Sequence, residues 1–184
     1  MRLVILGGTG SGKGTQTAKL SDRLNIASIS TGYILRQGIA TGTDLGKQAQ
    51  SYVKQGELVP DQLMIQFIKQ RLLEPDVKQG WILEGYPRTA FQAEELDFLL
   101  EELQQKLDWA IYLQVSESTM MERSLNRGLS DDRVEVIQRR IYNFQENTIP
   151  ILEYYRYSKR LLTINGEESP DIVEQKITEK INLI

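Results

Sequence analysis

The sequence predicts an α/β fold with a five-stranded parallel sheet and helices on both faces. Short apolar runs alternate with segments of helical periodicity, which is the pattern of strands joined by crossover helices. The first run, residues 3–6, leads directly into the glycine-rich residues 7–15 and then into a helical segment. Because parallel strands end at one edge of the sheet, we expect ligands to bind at that edge.

The elements follow one another without an internal repeat. Strands are predicted at residues 3–6, 26–29, 80–85, 109–113 and 161–164, all short and mostly apolar. Helices are predicted at residues 13–20, from 30, at 44–54, from 61, up to about 103, at 116–126, from about 131 and from 170. The helix from about 131 should bury Val134, Ile137, Ile141 and Phe144 and be kinked by Pro150.

Residues 7–15, Gly-Gly-Thr-Gly-Ser-Gly-Lys-Gly-Thr, match the motif of a phosphate-binding loop. Glycines allow a tight turn in which successive backbone N–H groups point into one concavity. The following helix adds its unpaired N–H groups and the positive end of its dipole. Lys13 would bring a full charge to the β- and γ-phosphates, and the Thr15 hydroxyl could hold Mg²⁺. The motif predicts the P-loop NTPase fold.

Composition limits the function further. The formal net charge of −3 disfavours a general surface for nucleic acid or anionic membranes. The chain has no cysteine and no histidine, so disulfides, thiolate metal sites and thiol catalysis are excluded and the commonest general base is missing. No apolar run approaches the roughly eighteen residues that span a bilayer. We expect a cytoplasmic protein whose partners are small molecules, not nucleic acid or a membrane.

Charged residues cluster at the predicted ligand edge. Glu84 ends an apolar strand, where an acid can orient Mg²⁺ or its waters, although it could also simply cap the next turn. Arginines placed for phosphate contacts are Arg36, Arg88, Arg123, Arg127 and Arg140. Arginine suits this role because its planar fork binds phosphate oxygens in pairs and stays charged.

Five blocks, in order, resemble the adenylate kinase family and cover nearly the whole chain. They are residues 7–16, residues 30–32 with Leu35 and Arg36, residues 56–61, residues 81–89 with Gln92, and Asp131-Asp132 with Arg140 before Pro150 and Tyr154-Tyr155. The glycine after Lys13 is unusual for a general phosphate-binding loop and typical of this family. The resemblance implies a single domain over residues 1–184, with a nucleoside-monophosphate-binding (NMP-binding) insertion at 30–59 and a short lid at 126–132.

The resemblance also implies reversible, Mg²⁺-dependent transfer of the terminal phosphate of ATP to AMP by a monomer, giving two ADP. The ATP would be held by Gly10, Ser11, Gly12, Lys13, Gly14, Thr15, Arg127 and the backbone near Glu168. The AMP would be held by Thr31, Arg36, Glu57, Leu58, Val59, Gly85, Tyr86, Pro87, Arg88, Gln92 and Arg140. Lys13, Arg88, Arg123, Arg127 and Arg140 would be catalytic, and Thr15 and Glu84 would hold Mg²⁺, partly through water.

The chain departs from the family pattern at several positions. Thr9 stands where proline is usual, and Tyr33 and Glu84 stand where aspartate is usual. Leu129-Ser130 replaces the Gly-Arg pair that short-lid relatives carry before the two aspartates, so one phosphate-binding arginine is missing, and Arg133 is the candidate replacement. Loss of a transition-state arginine costs roughly 10³-fold or more in rate in related chemistry, so turnover could be reduced.

Two other functions stay open on the sequence. The first is a kinase for UMP or CMP, although Thr31 and Gln92 favour adenine. The second is a catalytically weakened nucleotide-binding sensor, which only the altered lid supports. A GTPase is disfavoured because no Asn-Lys-x-Asp motif for guanine occurs in the chain.

Overall fold

A computed structural model describes residues 1–182, so the predicted domain of residues 1–184 extends two residues beyond the described chain. Its strands are β1 (Arg2–Leu6), β2 (Ala27–Ser30), β3 (Trp81–Glu84), β4 (Trp109–Gln114) and β5 (Leu161–Asn165). They form one sheet in the order β2-β3-β1-β4-β5, and every neighbouring pair is parallel. This confirms the predicted five-stranded parallel sheet.

Helices connect the strands in chain order. They are α1 (Lys13–Leu24), α2 (Thr31–Thr41), α3 (Asp44–Gln55), α4 (Asp61–Arg71), α5 (Ala90–Glu102), α6 (Glu117–Arg127), α7 (Val134–Asn143), α8 (Ile151–Tyr157) and α9 (Pro170–Asn182). Four helices begin after a hydroxyl side chain that accepts a hydrogen bond from their first turn: α2 after Ser30, α3 after Thr43, α5 after Thr89 and α6 after Ser116. The chain also contains a short 3₁₀ helix, Pro75–Gln79, that the sequence pattern did not indicate.

The segment after α6 corrects one prediction. The long helix predicted from about residue 131 begins at Val134; Asp131 and Asp132 precede it, and their carboxylates pair with Arg127 of α6 and Arg140 of α7 itself. Val134 is exposed, and Val136 takes its place in the buried stripe with Ile137 and Ile141. The helix widens into a π turn, Phe144–Thr148, before Pro150 and α8, so the helix changes where a kink was predicted.

The core consists of apolar layers on both faces of the sheet. Successive residues of β1 point to opposite faces, so Val4 and Leu6 belong to one layer and Leu3 and Ile5 to the other. The first layer packs against α4, α5 and α8, and the second against α1 and α9. A smaller cluster that includes Met120, Ile141 and Phe144 joins α6, α7 and the π turn. None of the helices within residues 1–182 is long and apolar enough to cross a membrane.

Candidate active site

The loop between β1 and α1 forms the base of the site. Gly10 and Gly12 have φ values of 72° and 92°, which L side chains rarely adopt. A side chain at Gly10 would also meet the backbone oxygen of Met120 at 2.5 Å. Gly12 precedes α1 and offers no side chain to cap it, so the first N–H groups of the helix remain free for an anion.

Lys13 is the central cation of this loop. Its Nζ donates to the backbone oxygen of Gly8 at 2.6 Å and to Ser11 Oγ at 3.4 Å. Burial lowers the pKa of Lys13 to about 8; the Glu84 carboxylate opposes this shift, and the positive charges of Arg88 and Arg127 add to it. An anionic ligand bound beside Lys13 would favour its charged form and so oppose the effect of burial.

The arginines predicted from the sequence converge on Lys13 and Glu84. Arg88 donates from Nε to the backbone oxygen of Gly85 at 2.8 Å. Burial lowers the pKa of the Arg88 guanidinium; Glu84 opposes this shift, and Arg140 and Arg36 reinforce it. Because Arg36 and Arg140 lie close enough to Arg88 to add to the positive charge around it, this part of the site is arranged to receive phosphate groups.

The carboxylates of Asp131 and Asp132 pair with one arginine of α6, Arg127, and one of α7, Arg140. Asp132 pairs with Arg127 and Arg140 and accepts a hydrogen bond from the backbone N–H of Leu129 at 3.2 Å. Burial would raise the pKa of Asp132, but the hydrogen bond from Arg127 and its charge outweigh burial and lower it. Asp131 also pairs with Arg140. Residues 126–132 are thus tied to α7 through charged pairs.

Hydrogen bonds also hold the side chains at the other end of the site. Thr31 Oγ1 donates to the backbone oxygen of Glu84 at 3.1 Å. Gln92 is 2% exposed; its Nε2 donates to Asp61 Oδ1 at 2.6 Å and its Oε1 accepts from the backbone N–H of Arg88 at 2.8 Å. The Glu57 carboxylate contacts two residues of α7: its Oε1 lies 3.3 Å from Arg139 Nε, and its Oε2 accepts a hydrogen bond from Asn143 Nδ2 at 3.1 Å.

Two adjoining cavities bring nearly all of the predicted residues together. The first cavity is lined by Lys13, Thr31, Arg36, Glu57, Leu58, Val59, Glu84, Gly85, Pro87, Arg88, Gln92, Arg127 and Arg140, among others. The second cavity is lined by Gly10, Ser11, Gly12, Lys13, Gly14, Thr15, Arg36, Glu84, Arg123, Arg127 and Glu168, among others. Lys13, Arg36, Glu84 and Arg127 line both cavities, so ligands in the two would meet at these four side chains.

Two residues named from the sequence lie elsewhere. Tyr86 is 2% exposed and packs in the apolar layer beneath the first cavity rather than lining it. Arg133 precedes α7, is exposed, and lies on neither cavity wall, so its position lends no support to its replacing the missing lid arginine.

Some residues of the site were not anticipated. Thr9 Oγ1 lies 3.0 Å from Ser124 Oγ and accepts from Arg127 Nη2 at 3.4 Å, which joins the phosphate loop to α6. Asn143 and Thr148 line the first cavity from α7 and the π turn. Helical periodicity could have placed Asn143 on the buried face with Val136, but nothing local signals the partner of Thr9.

Few groups in the site could hold a metal ion. Within residues 1–182 there is no cluster of three His, Cys, Asp or Glu side chains with metal-binding geometry. Glu84 and Thr15 both line the second cavity, and a Cβ placed on Gly14 would lie 3.7 Å from Glu84 Oε2. One carboxylate and one hydroxyl suit an ion that keeps most of its other ligands from water and phosphate, as Mg²⁺ does.

Comparisons with known proteins agree with this arrangement. The family model described as "Adenylate kinase" matches residues 5–160. The chain is 61% identical over 177 residues to adenylate kinase 2 of Nostoc sp., covering 96% of each chain. It is 58% identical over 181 residues to adenylate kinase 2 of Synechocystis sp., covering 98% of this chain and 100% of the relative. It is also 44% identical over 176 residues to adenylate kinase 1 of Nostoc sp..

Proposed function

This chain belongs to the adenylate kinase family, and we propose that it uses the residues around its two cavities to transfer the terminal phosphate of ATP to AMP, giving two ADP. One observation carries the assignment of residues. The two cavities share Lys13, Arg36, Glu84 and Arg127, so two nucleotides bound on either side would bring their phosphates to the same three cations, beside the Glu84 carboxylate.

ATP is assigned to the second cavity. The loop from Gly10 to Thr15 and the free N–H groups of α1 would bind its phosphates, and Lys13 would exchange its hydrogen bond to Gly8 for one to phosphate. Arg123 donates from Nη1 to the backbone oxygen of Gly166 at 2.8 Å and from Nη2 to that of Glu167 at 3.2 Å, which fixes its guanidinium beside Glu168. The adenine of ATP would lie against this guanidinium and the backbone near Glu168.

AMP is assigned to the first cavity, between α2, the loop before α4, and α5. Thr31, Gln92 and the backbone of residues 57–59 would surround the adenosine. Arg36 and Arg88 would bind its phosphate, and Arg140 would lie along the transferring group. Residues 30–59 are the proposed NMP-binding insertion and residues 126–132 the proposed lid.

The acceptor of this reaction is a phosphate that is already ionised at neutral pH. It needs no general base, so a chain without histidine loses nothing. The reaction needs alignment of the two phosphates, positive charge around a loose transition state, and exclusion of water. Lys13, Arg88, Arg123, Arg127 and Arg140 supply the charge, and movement of residues 126–132 over the phosphates would exclude water.

Mg²⁺ fits the oxygen ligands of the second cavity. Thr15 and Glu84 would hold it, partly through water, together with phosphate oxygens, and when bound it would neutralise charge on the β- and γ-phosphates. We further propose that the protein acts as a cytoplasmic monomer.

The test is ADP formation from ATP and AMP with Mg²⁺, measured in a coupled assay. We expect AMP-dependent ADP formation that EDTA abolishes, with CMP and UMP as much poorer acceptors. Lys13→Met should remove the activity, whereas Lys106→Met, at an exposed site outside both cavities, should leave it unchanged.

The same assay can contradict the proposal in two ways. Faster transfer to CMP or UMP than to AMP would make the chain a pyrimidine nucleotide kinase. Binding of both ATP and AMP without ADP formation would mean that the altered lid at Leu129-Ser130 no longer completes the site.

A further inference from the structure

We propose that Asp61 determines which base the first cavity accepts, because it holds the Gln92 amide in the single orientation that reads adenine. The inference rests on the proposed binding of AMP in that cavity. Asp61 would act through Gln92 and would not itself contact the nucleotide, which makes it a positioning residue.

The Gln92 amide is held from both sides. Its Nε2 donates to Asp61 Oδ1 at 2.6 Å, and its Oε1 accepts from the backbone N–H of Arg88 at 2.8 Å. Thr89 Oγ1 donates to the same Asp61 oxygen at 3.3 Å and accepts from the backbone N–H of Gln92 at 3.2 Å. Asp61 is the first residue of α4 and Gln92 lies in the first turn of α5, so the network also joins these two helices.

The chemistry of the two partners decides how the amide is turned. A carboxylate at neutral pH only accepts hydrogen bonds, and a backbone N–H only donates them. The reversed amide would place Oε1 against the Asp61 carboxylate and Nε2 against the Arg88 N–H, which would lose both hydrogen bonds and add repulsion. The orientation of this buried amide is therefore dictated by its surroundings rather than by the ligand.

The amide retains one N–H and one oxygen lone pair after these two bonds are made. Gln92 lines the first cavity, so these are the groups it can offer to a base there. Adenine presents an acceptor at N1 beside a donor at its exocyclic amine, which matches this pair. Hypoxanthine has the same shape but presents a donor at N1 beside an acceptor at O6, which requires the reversed amide.

The first cavity should therefore discriminate between bases by their pattern of hydrogen-bond donors and acceptors rather than by their size. IMP differs from AMP only in this pattern and in the atom at position 6, so it is the sharpest probe. CMP has the adenine-like pattern on a smaller ring, so the Asp61 interaction should affect CMP much less than IMP. A ratio of kcat/KM values for AMP and IMP measures the effect directly.

The test compares Asp61→Asn with the unaltered chain. An asparagine of the same shape can turn its own amide to face either orientation of Gln92, so of the two partners only the Arg88 N–H still opposes the reversed amide, which becomes less unfavourable. We expect the AMP-to-IMP ratio of kcat/KM to fall by roughly tenfold, with a smaller change for CMP relative to AMP. Glu94→Gln is the control: it also removes one negative charge, at an exposed position of α5, the helix that carries Gln92, and it should leave the ratio unchanged.

A double-mutant cycle separates positioning from a purely structural role. Gln92→Ala alone should lower the ratio, and adding Asp61→Asn to it should change the ratio no further. If Asp61→Asn lowers only the melting temperature and leaves the ratio intact, or if Gln92→Ala leaves the ratio intact, the inference is wrong. Absence of AMP-dependent ADP formation in the unaltered chain would instead contradict the proposed function.

Discussion

The carboxylate of Asp132 forms a bidentate pair with the guanidinium of Arg127: Oδ2 accepts from Nε at 2.9 Å and Oδ1 from Nη2 at 2.7 Å. The same Oδ1 accepts from Arg140 Nη1 at 3.1 Å, and the Asp132 side chain is only 1% exposed. One carboxylate thus separates two arginines proposed to act on the transferring phosphate.

Asp132→Asn should destabilise the protein, because it leaves two neighbouring guanidiniums without the charge between them. We expect the free energy of unfolding in urea at pH 7 to fall by about 1–3 kcal/mol. Asp76→Asn is the matched control: Asp76 also binds one arginine, Arg71, at both ends, but its side chain is 52% exposed. Exposed pairs contribute about 0–1 kcal/mol, so the control should change little. Equal losses in the two variants would contradict the assigned role.

The contribution of Asp132 should also depend on pH. The pairing with Arg127 lowers its folded-state pKa below the usual value of 3.8, so the stabilisation is present above that value and is lost as the pH falls through the folded-state pKa. The difference in unfolding free energy between the unaltered chain and Asp132→Asn should shrink below about pH 4. A difference that stays constant from pH 7 to pH 3 would show that ionisation of Asp132 is not its source.

Lys13 should make ATP binding sensitive to alkaline pH. Its pKa of about 8 in the free protein means that it loses its charge above pH 8, whereas bound phosphates would hold the proton. The Kd for ATP should be insensitive to Lys13 ionisation below pH 7.5 or so and then rise by up to about tenfold per pH unit above 8. Lys13→Arg stays charged throughout, so its affinity, though weaker, should lack this rise. Parallel calorimetric titrations of both proteins from pH 7 to 9.5 would test this.

Features that depend on neighbouring residues were predictable from the sequence. Every strand lies within one residue of its predicted bounds, because each is a short apolar run between turns. The phosphate loop is a single continuous motif, so Lys13 and the start of α1 follow directly from it. Arg36, Arg88, Arg127 and Arg140 line the first cavity, as predicted for arginines at the ligand edge of the sheet, where Arg36 and Arg88 follow glycine turns.

Features that depend on which side chains pair with one another were not predictable. Asp131 and Asp132 resemble the start of a helix, but their carboxylates pair with arginines and α7 begins at Val134. Thr9 and Ser124 are 115 positions apart, and Asp61 and Gln92 are 31 apart. No local pattern reveals such pairs, because each residue alone is compatible with an ordinary solvated position. Tyr86 was named as an AMP-binding residue because it lies in a motif, but its ring is buried in the core.

Thr9 should help to position Arg127. Its hydroxyl lies 3.0 Å from Ser124 Oγ and 3.4 Å from Arg127 Nη2, and valine would remove both contacts at nearly constant shape. We expect Thr9→Val to weaken ATP binding by about two- to tenfold, whereas Thr9→Ser should retain most of the affinity. Thr178→Val is the control, since the Thr178 hydroxyl donates to the backbone oxygen of Glu174 within its own helix, α9. An unchanged Kd for ATP in Thr9→Val would show that Thr9 does not position Arg127 for ATP binding.

Gly46 should be required for the proposed NMP-binding insertion, because α2 and α3 pack closely there. A Cβ on Gly46 would lie 2.1 Å from the backbone oxygen of Gly38, a distance that only movement of the two helices could relieve. Alanine normally favours a helix over glycine by about 1 kcal/mol, so without this clash Gly46→Ala would stabilise the protein. We expect it instead to lower the unfolding free energy by about 1–3 kcal/mol.

The kinetic effect of Gly46→Ala should be confined to AMP. Helix α2 carries Thr31 and Arg36, and residues 57–59 follow α3, so separating the helices disturbs the first cavity but leaves the loop of residues 10–15 in place. The KM for AMP should rise by roughly tenfold, with a much smaller change for ATP. Ser51→Ala adds a helix-favouring residue at an exposed position of α3 and should change neither KM value. A Gly46→Ala protein that is more stable and binds AMP normally would mean that the helices can separate at no cost to the AMP site.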